Sequence, residues 1–181
     1  MCGISGAFFS TSQSESFIKK IVMTMNNALD HRGPDDQGYW IETDFSLFLA
    51  HRRLSILDLS EMGRQPMISK NNRFVICFNG EIYNHLSLRK ELEINHKIYN
   101  DYWRGNSDTE TLLAAFEYWK FDDVLNKLVG MFAFSLFDIR EKKLYLVRDR
   151  FGEKPLYFGV PNIAGEQLNR FVAFASELKA F

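Results

Sequence analysis

Gly130-Met131-Phe132-Ala133-Phe134-Ser135-Leu136-Phe137-Asp138-Ile139-Arg140-Glu141-Lys142-Lys143-Leu144-Tyr145-Leu146-Val147 is the stretch on which the fold turns. Two apolar runs, 130–139 and 143–147, flank a charged turn at Arg140-Glu141-Lys142, and that pattern predicts a β-hairpin. A hairpin joins antiparallel neighbours, whereas a parallel pair needs a long crossover. Upstream, Ser107-Asp108-Thr109-Glu110 has the Ser-x-x-Glu form of a capping box, opening a helix through Leu112, Leu113, Phe116 and Trp119. A second helical stretch follows at 121–128, and 84–93 reads as another helix. Further back, strands are predicted at 38–42, 45–51 and 73–78, and a first strand at 2–9. Between them, Phe17, Ile18, Ile21, Val22, Met25 and Leu29 recur at the period of an amphipathic helix over 15–29. Downstream, 156–160 and 170–175 supply closing strands. Helices and strands thus come in blocks, which predicts an α+β domain of mainly antiparallel sheets covered by helices.

The bulk numbers agree with one globular domain. The 181 residues are 46% hydrophobic and 25% charged, with 17 Phe for an aromatic-rich interior. A formal net charge of −1 gives no bulk electrostatic reason to expect nucleic acid as a partner. The longest apolar runs fall far short of the ~20 residues of a membrane span, so no membrane partner is expected. There is no secretory signal, and the two cysteines, Cys2 and Cys77, read as free thiols of a reducing cytoplasm. The chain ends at Phe181 soon after a strand, which reads as a break within a longer protein.

Several short stretches could carry chemistry. Met1-Cys2-Gly3 places a small residue after the initiator, so removal of Met1 would leave one residue holding a thiol and a free α-amine. That amine, with a reference pKa of about 7.7–8.0, can act as base for its own thiol. The alternative is a small buried residue in a first strand. Phe78-Asn79-Gly80-Glu81 follows a strand with Asn-Gly, for which a two-residue hairpin turn is the stronger local reading. The other reading is an oxyanion hole, an Asn side-chain amide beside a Gly N–H that a substrate can approach closely.

His51-Arg52-Arg53-Leu54-Ser55-Ile56 sets two arginines after an apolar strand, and alternation points them in opposite directions. One is either a fork for a substrate carboxylate or half of a structural ion pair. Asp108, in the first turn of a helix, suits either the helix dipole or a substrate ammonium. The charged loops 31–35 and 148–152 read as solvated faces or structural ion pairs. No His or Cys spacing suggests a metal, and there is no phosphate loop ending in Lys-Ser or Lys-Thr.

In order, Met1-Cys2-Gly3-Ile4-Ser5-Gly6, His31-Arg32-Gly33-Pro34-Asp35, His51-Arg52-Arg53-Leu54-Ser55-Ile56-Leu57-Asp58, Gln65-Pro66-Met67 and Phe78-Asn79-Gly80-Glu81-Ile82-Tyr83-Asn84 form a recognisable series. Ser107-Asp108-Thr109-Glu110, Gly130-Met131-Phe132-Ala133-Phe134 and the run from Arg148 to Tyr157 continue it. The series closely resembles the N-terminal domain of glutamine-dependent asparagine synthetases. The resemblance implies a class II glutamine amidotransferase domain over 2–181, with the N-terminal-nucleophile hydrolase fold, a four-layer αββα sandwich of two antiparallel sheets. It implies Cys2 as nucleophile, with the Asn79 side chain and Gly80 N–H as oxyanion hole. It implies Arg53 on the glutamine α-carboxylate and Leu54, Ser55, Ile56 and Leu57 along the same pocket. Asp108 and Glu81 would hold the α-ammonium end.

The partners so implied are L-glutamine and a C-terminal synthetase domain that receives ammonia. ATP and Mg²⁺ belong to that further domain, and no cofactor is expected in this chain. A homodimer is left open. Amidotransferases that feed phosphoribosylamine or glucosamine phosphate synthesis share the opening Met-Cys-Gly-Ile but lack the His-Arg-Arg-Leu-Ser-Ile block. Proteins that amidate another carboxylate, such as a sugar acid, would carry the same domain, so the acceptor stays open. A non-enzymatic, ammonia-gating module is the remaining class, and intact Cys2, Arg53, Asn79 and Asp108 argue against it.

Overall fold

The computed structural model describes residues 1–11, 13–44, 46–54, 61–99, 101–160 and 171–181. The predicted hairpin is present: β6 (Gly130–Asp138) pairs antiparallel with β7 (Lys143–Arg148), Phe134 facing Val147. On the other side of β6 lies β5 (Phe74–Ile82), and beyond it a two-residue β4 (Met67–Ile68), giving the order β4-β5-β6-β7. A second antiparallel sheet has the order β2-β3-β1-β9-β8. Its strands are β1 (Gly3–Phe9), β2 (Asp36–Glu42), β3 (Leu47–Arg53), β8 (Tyr157–Gly159) and β9 (Phe171–Ala175).

Side-chain alternation then dictates the layers. One face of the five-stranded sheet, with Ala7, Phe9, Phe48 and Ala50, packs against Ile18, Val22 and Met25 of α1 (Glu15–Asn27). Ser14 caps α1 by accepting the Phe17 N–H at 3.3 Å. The outer face of the other sheet, with Ile76, Phe78, Phe134 and Leu136, packs against α2 (His85–His96), α3 (Asp108–Tyr118) and α4 (Phe121–Lys127). Between the sheets Ile4, Leu47, Leu49, Val75, Cys77, Phe137 and Phe174 interlock. The result is the predicted α-β-β-α sandwich. A side chain at Gly6 would collide with the Phe174 ring and the Phe48 carbonyl, so this glycine lets the ring cross β1.

The capping box is half as expected. Ser107 Oγ accepts the Glu110 N–H at 3.2 Å, but the Glu110 carboxylate turns to the N–H groups of Arg104 (2.8 Å) and Gly105 (3.0 Å) instead.

Two boundaries differ from the sequence reading, and both matter. β3 runs through Arg53 rather than stopping at His51, so the two arginines are strand residues. β5 runs through Ile82 rather than stopping at Phe78, so Asn79-Gly80 is no turn. Asn79 faces Ala133 and Gly80 faces Phe132 across β6, and this distant partner overrides the local turn preference. Glycine is required there, because a Cβ at Gly80 would strike the Met131 carbonyl and the Phe132 backbone.

Candidate active site

The layer between the sheets is apolar at one end and polar at the other. Along the inner face of β3 the residues run Leu47, Leu49, His51, Arg53, and along β5 they run Val75, Cys77, Asn79, Glu81. The polar end opens into a cavity of about 150 Å³, the size of a small molecule. Cys2, Arg53, Leu54, Asn79, Gly80, Glu81 and Asp108 all line it. Residues remote in sequence thus meet where three strands end. Ser55, Ile56 and Leu57 lie outside the described residues.

Cys2 sits just before β1, its thiol in weak contact with Leu54: the Leu54 N–H donates to Sγ at 3.5 Å, and the thiol faces the Leu54 carbonyl at 3.7 Å. Burial pushes its pKa above the usual thiol value, against the opposing pull of Leu54, the N-terminus, Arg53 and Arg32. The thiol therefore rests protonated at neutral pH. Its position is fixed from behind. Arg32 donates from Nε to the Cys2 carbonyl at 2.9 Å and from Nη1 to Glu177 at 2.7 Å. The Arg32 and His31 contacts hold the Glu177 carboxyl down at about 2. The loop at 31–35, read as either a solvated face or structural ion pairs, makes such pairs to Glu177, and what they steady is the N-terminal residue.

β5 explains the next group. The Tyr83 N–H donates to the Val129 carbonyl and the Ile139 N–H to the Arg73 carbonyl, so odd-numbered residues of this strand bond to β6. Even-numbered residues point their N–H and C=O toward β4, which is too short to pair with all of them. Phe74 exchanges bonds with Ser69, and Ile76 faces Met67. Phe78 donates its N–H to Gln65 Oε1 at 2.6 Å and its carbonyl meets His51 Nε2 at 3.0 Å. The Ile82 N–H goes to Asp108 Oδ2 at 3.0 Å. Gly80 is skipped: its N–H donates to no acceptor among the described residues. Beside it, Asn79 Nδ2 is fully buried and also without a partner among them. Two unspent donors therefore sit side by side on the cavity wall.

The arginines diverge as alternation requires. Arg52 turns to α1 and its end, bonding the Asn26 carbonyl (3.1 Å), Asn27 (2.6 Å) and Asp30 (2.9 Å). Arg53 is buried and faces the cavity. Asp108 is buried too, and burial raises its pKa against the hydrogen bonds from Ile82 and Thr109. Its role is thus more than a charge near a helix end, since it also fixes the edge of β5.

Gln65 and Lys154 are among the cavity residues to which the sequence reading gave no role. Gln65 lies in a loop with no periodicity to flag it. Lys154 lies just past the charged loop 148–152, which reads as a solvated face or structural ion pairs; it is buried, and its Nζ lies 3.6 Å from the Met1 thioether. That loop is built on Asp149. Burial would raise the Asp149 pKa, but the backbone N–H groups of Lys154, Glu153, Phe132 and Phe151 outweigh it and hold the carboxyl low. Among the described residues no cluster of three His, Cys, Asp or Glu could hold a metal ion. No helix of those residues is long and apolar enough to cross a membrane.

His51 is fully buried, and burial lowers its pKa from 6.5 to about 4. A folded-state value below the unfolded one means that its contribution to stability is complete above pH 6.5. That contribution drains away as pH falls from 6.5 through about 4. The wild type should therefore lose on the order of 3 kcal/mol across that window. His51→Gln, which cannot titrate, should lack this part of the loss, as urea midpoints measured at each pH would reveal.

Comparison with known proteins gives a consistent result. A family model described as a glutamine amidotransferase domain matches residues 1–181. Asparagine synthetase [glutamine-hydrolyzing] 1 of Bacillus subtilis is 40% identical over 99% of this chain and 26% of its own length. The putative asparagine synthetase [glutamine-hydrolyzing] 2 of Methanocaldococcus jannaschii is 36% identical over 99% of this chain and 34% of its own. Amidase chry2 of Gibberella zeae is 33% identical over 98% of this chain and 27% of its own. The chain thus spans about a quarter to a third of the length of these curated relatives. Among solved structures, the glutamine phosphoribosylpyrophosphate amidotransferase of B. subtilis superposes with a TM-score of 0.75 at 21% identity, over 99% of this chain and 43% of that one. That likeness shows the fold, the N-terminal-nucleophile hydrolase sandwich.

Proposed function

The chain belongs to the glutamine amidotransferase domain family, and from that premise we propose that it hydrolyses L-glutamine through a thioester on Cys2. The observation that carries the proposal is the pair of unspent donors, Asn79 Nδ2 and Gly80 N–H, on the same cavity wall system as the Cys2 thiol. Buried donors without acceptors are costly, and they are worth that cost where negative charge develops during a reaction.

The steps follow from the chemistry of these groups. Removal of Met1 frees the Cys2 α-amine, which takes the thiol proton. The thiolate attacks the side-chain amide carbon of glutamine, and the carbonyl electrons move to an oxyanion held by Asn79 and Gly80. Collapse of this intermediate breaks the C–N bond, the amine returns a proton, and ammonia leaves. Water then adds to the thioester through a second oxyanion, releasing glutamate and restoring the thiol. Arg53 grips the substrate α-carboxylate, with Leu54 beside it. Asp108 and Glu81 face the α-ammonium. Asp108 retains lone pairs for that purpose beyond those committed to Ile82 and Thr109.

The ammonia is destined for an ATP-dependent synthetase domain of a longer chain, with aspartate as acceptor. The names of the B. subtilis and M. jannaschii relatives support this reading. ATP and Mg²⁺ act in that further domain. A second reading keeps the same glutaminase half and gives its ammonia to another carboxylate acceptor, such as a sugar acid; a matched relative, Amidase chry2, shows that the domain also occurs in proteins not named asparagine synthetases.

The test is the half-reaction itself. Processed protein, given glutamine without ATP or acceptor, should release glutamate and ammonia in equal amounts, and no release would refute the proposal. In the same assay Arg53→Lys and Asp108→Asn should each raise KM roughly tenfold to a hundredfold, as expected for losing a charge-assisted bond of about 1.5–3 kcal/mol. A point charge cannot replace the bidentate guanidinium fork. Unchanged KM in both variants would return these residues to purely structural duty.

A further inference from the structure

We propose that His51 is a positioning residue for the oxyanion donors, acting through the Phe78 carbonyl; this rests on the glutaminase reading above. His51 belongs to β3, in the sheet that carries Cys2, while Phe78 belongs to β5, in the sheet that carries Asn79 and Gly80. Its Nε2 lies 3.0 Å from the Phe78 oxygen in a fully buried contact between the two sheets. A carbonyl only accepts, so Nε2 carries the proton and Nδ1 the lone pair. Nδ1 has no partner among the described residues. Around this contact the sheets meet through apolar side chains, which resist separation but not sliding. The His51 bond is directional and crosses the gap one residue before Asn79.

That placement has a specific consequence. The Phe78 carbonyl and the Gly80 N–H straddle Asn79 on the same edge of β5. Gln65 holds the Phe78 N–H, His51 holds its carbonyl, and Asp108 holds the Ile82 N–H, so Gly80 is suspended between fixed neighbours. His51 does not line the cavity and so touches neither substrate nor thiol. Its low basicity, from burial, also unsuits it to take the Cys2 proton. What remains is orientation of the two donors relative to the nucleophile, where small misplacements cost rate rather than binding.

The experiment is a double-mutant cycle on glutamate release with the processed protein, with Cys2→Ala as blank. His51→Leu should lower kcat roughly tenfold to a hundredfold with KM within about threefold, because the donors act in the transition state. His51→Gln, which restores an amide donor, should recover much of the loss. In an Asn79→Ala background His51→Leu should cost far less, since one of the groups it positions is already gone. A merely structural role predicts the opposite: a lower melting temperature in both backgrounds and losses in kcat that simply multiply. Multiplicative losses, or an unchanged kcat in His51→Leu, would overturn the proposal. Should His51→Leu not fold, His51→Asn, whose amide is too short to reach the carbonyl, takes its place in the cycle. A wild type that releases no glutamate would instead refute the glutaminase reading and the role of His51 with it. Wild-type turnover with a multiplicative cycle removes only the latter.

Discussion

Cys2→Ala is expected to abolish glutamate release, by roughly 10⁴-fold or more in kcat, while leaving the melting temperature nearly unchanged. The chemical half of this expectation rests on the absence of any substitute: Cys77, the other cysteine, is fully buried and its thiol is pushed far up by burial. The structural half rests on how little the Cys2 side chain contributes. Its two contacts to Leu54, at 3.5 and 3.7 Å, are weak sulfur interactions, whereas the residue is anchored by its carbonyl on Arg32. Alanine keeps that carbonyl. An N-terminal extension that cannot be removed should be nearly as damaging, because the base becomes a peptide nitrogen while the thiol pKa remains raised. Mass spectrometry of the N-terminus alongside the assay checks both expectations. Full turnover by the alanine variant would remove Cys2 from the mechanism, and full turnover by the blocked protein would remove the α-amine.

Asn79→Ala comes next in size, with kcat falling by ~10²–10³ and KM little altered. Its effect on stability should run the other way. Nδ2 has no hydrogen bond among the described residues, so truncation removes a buried polar group that gains nothing from folding. The melting temperature should hold or rise, a reciprocal relation between activity and stability found at functional sites. A stabilised variant with slow turnover would separate this residue from any turn or packing role. Were KM to rise at constant kcat, Asn79 would be a ground-state contact.

What could be read from the sequence, and what could not, divides along the range of the forces involved. Local periodicity located α1, α3 and the β6–β7 hairpin, because those patterns are written within a dozen residues. The ends of β3 and β5 were misplaced because both are set by partners elsewhere: Asp36 and Gln37 for Arg53 and Arg52, and Met131 to Ala133 for Glu81 to Asn79. Asn-Gly is a turn signal only when nothing stronger pairs with it. Arg53 and Asp108 were legible as candidates, since strand alternation and a helix start each present two readings, and burial at one cavity places both on its wall. Lys154, Gln65 and His51 were not legible. The first hides in a loop whose charges look solvated, and the other two act on the backbone of Phe78, to which no spacing in the sequence points.

The brevity of β4 is also an engineering constraint. In the β4–β5 register Phe78 falls opposite Gln65 and Gly80 opposite Gly63, so a strand lengthened by four residues would pair both in the ordinary way, adding ladder bonds of about 1 kcal/mol each. If the proposed oxyanion hole is right, a redesign that regularised this sheet should gain thermal tolerance and lose glutamate release, because the substrate's own carbonyl would be the missing rung of the ladder. On the proposed mechanism the substrate would serve during turnover as a one-residue strand, in a sheet left incomplete so that this place can be taken and given up in each cycle.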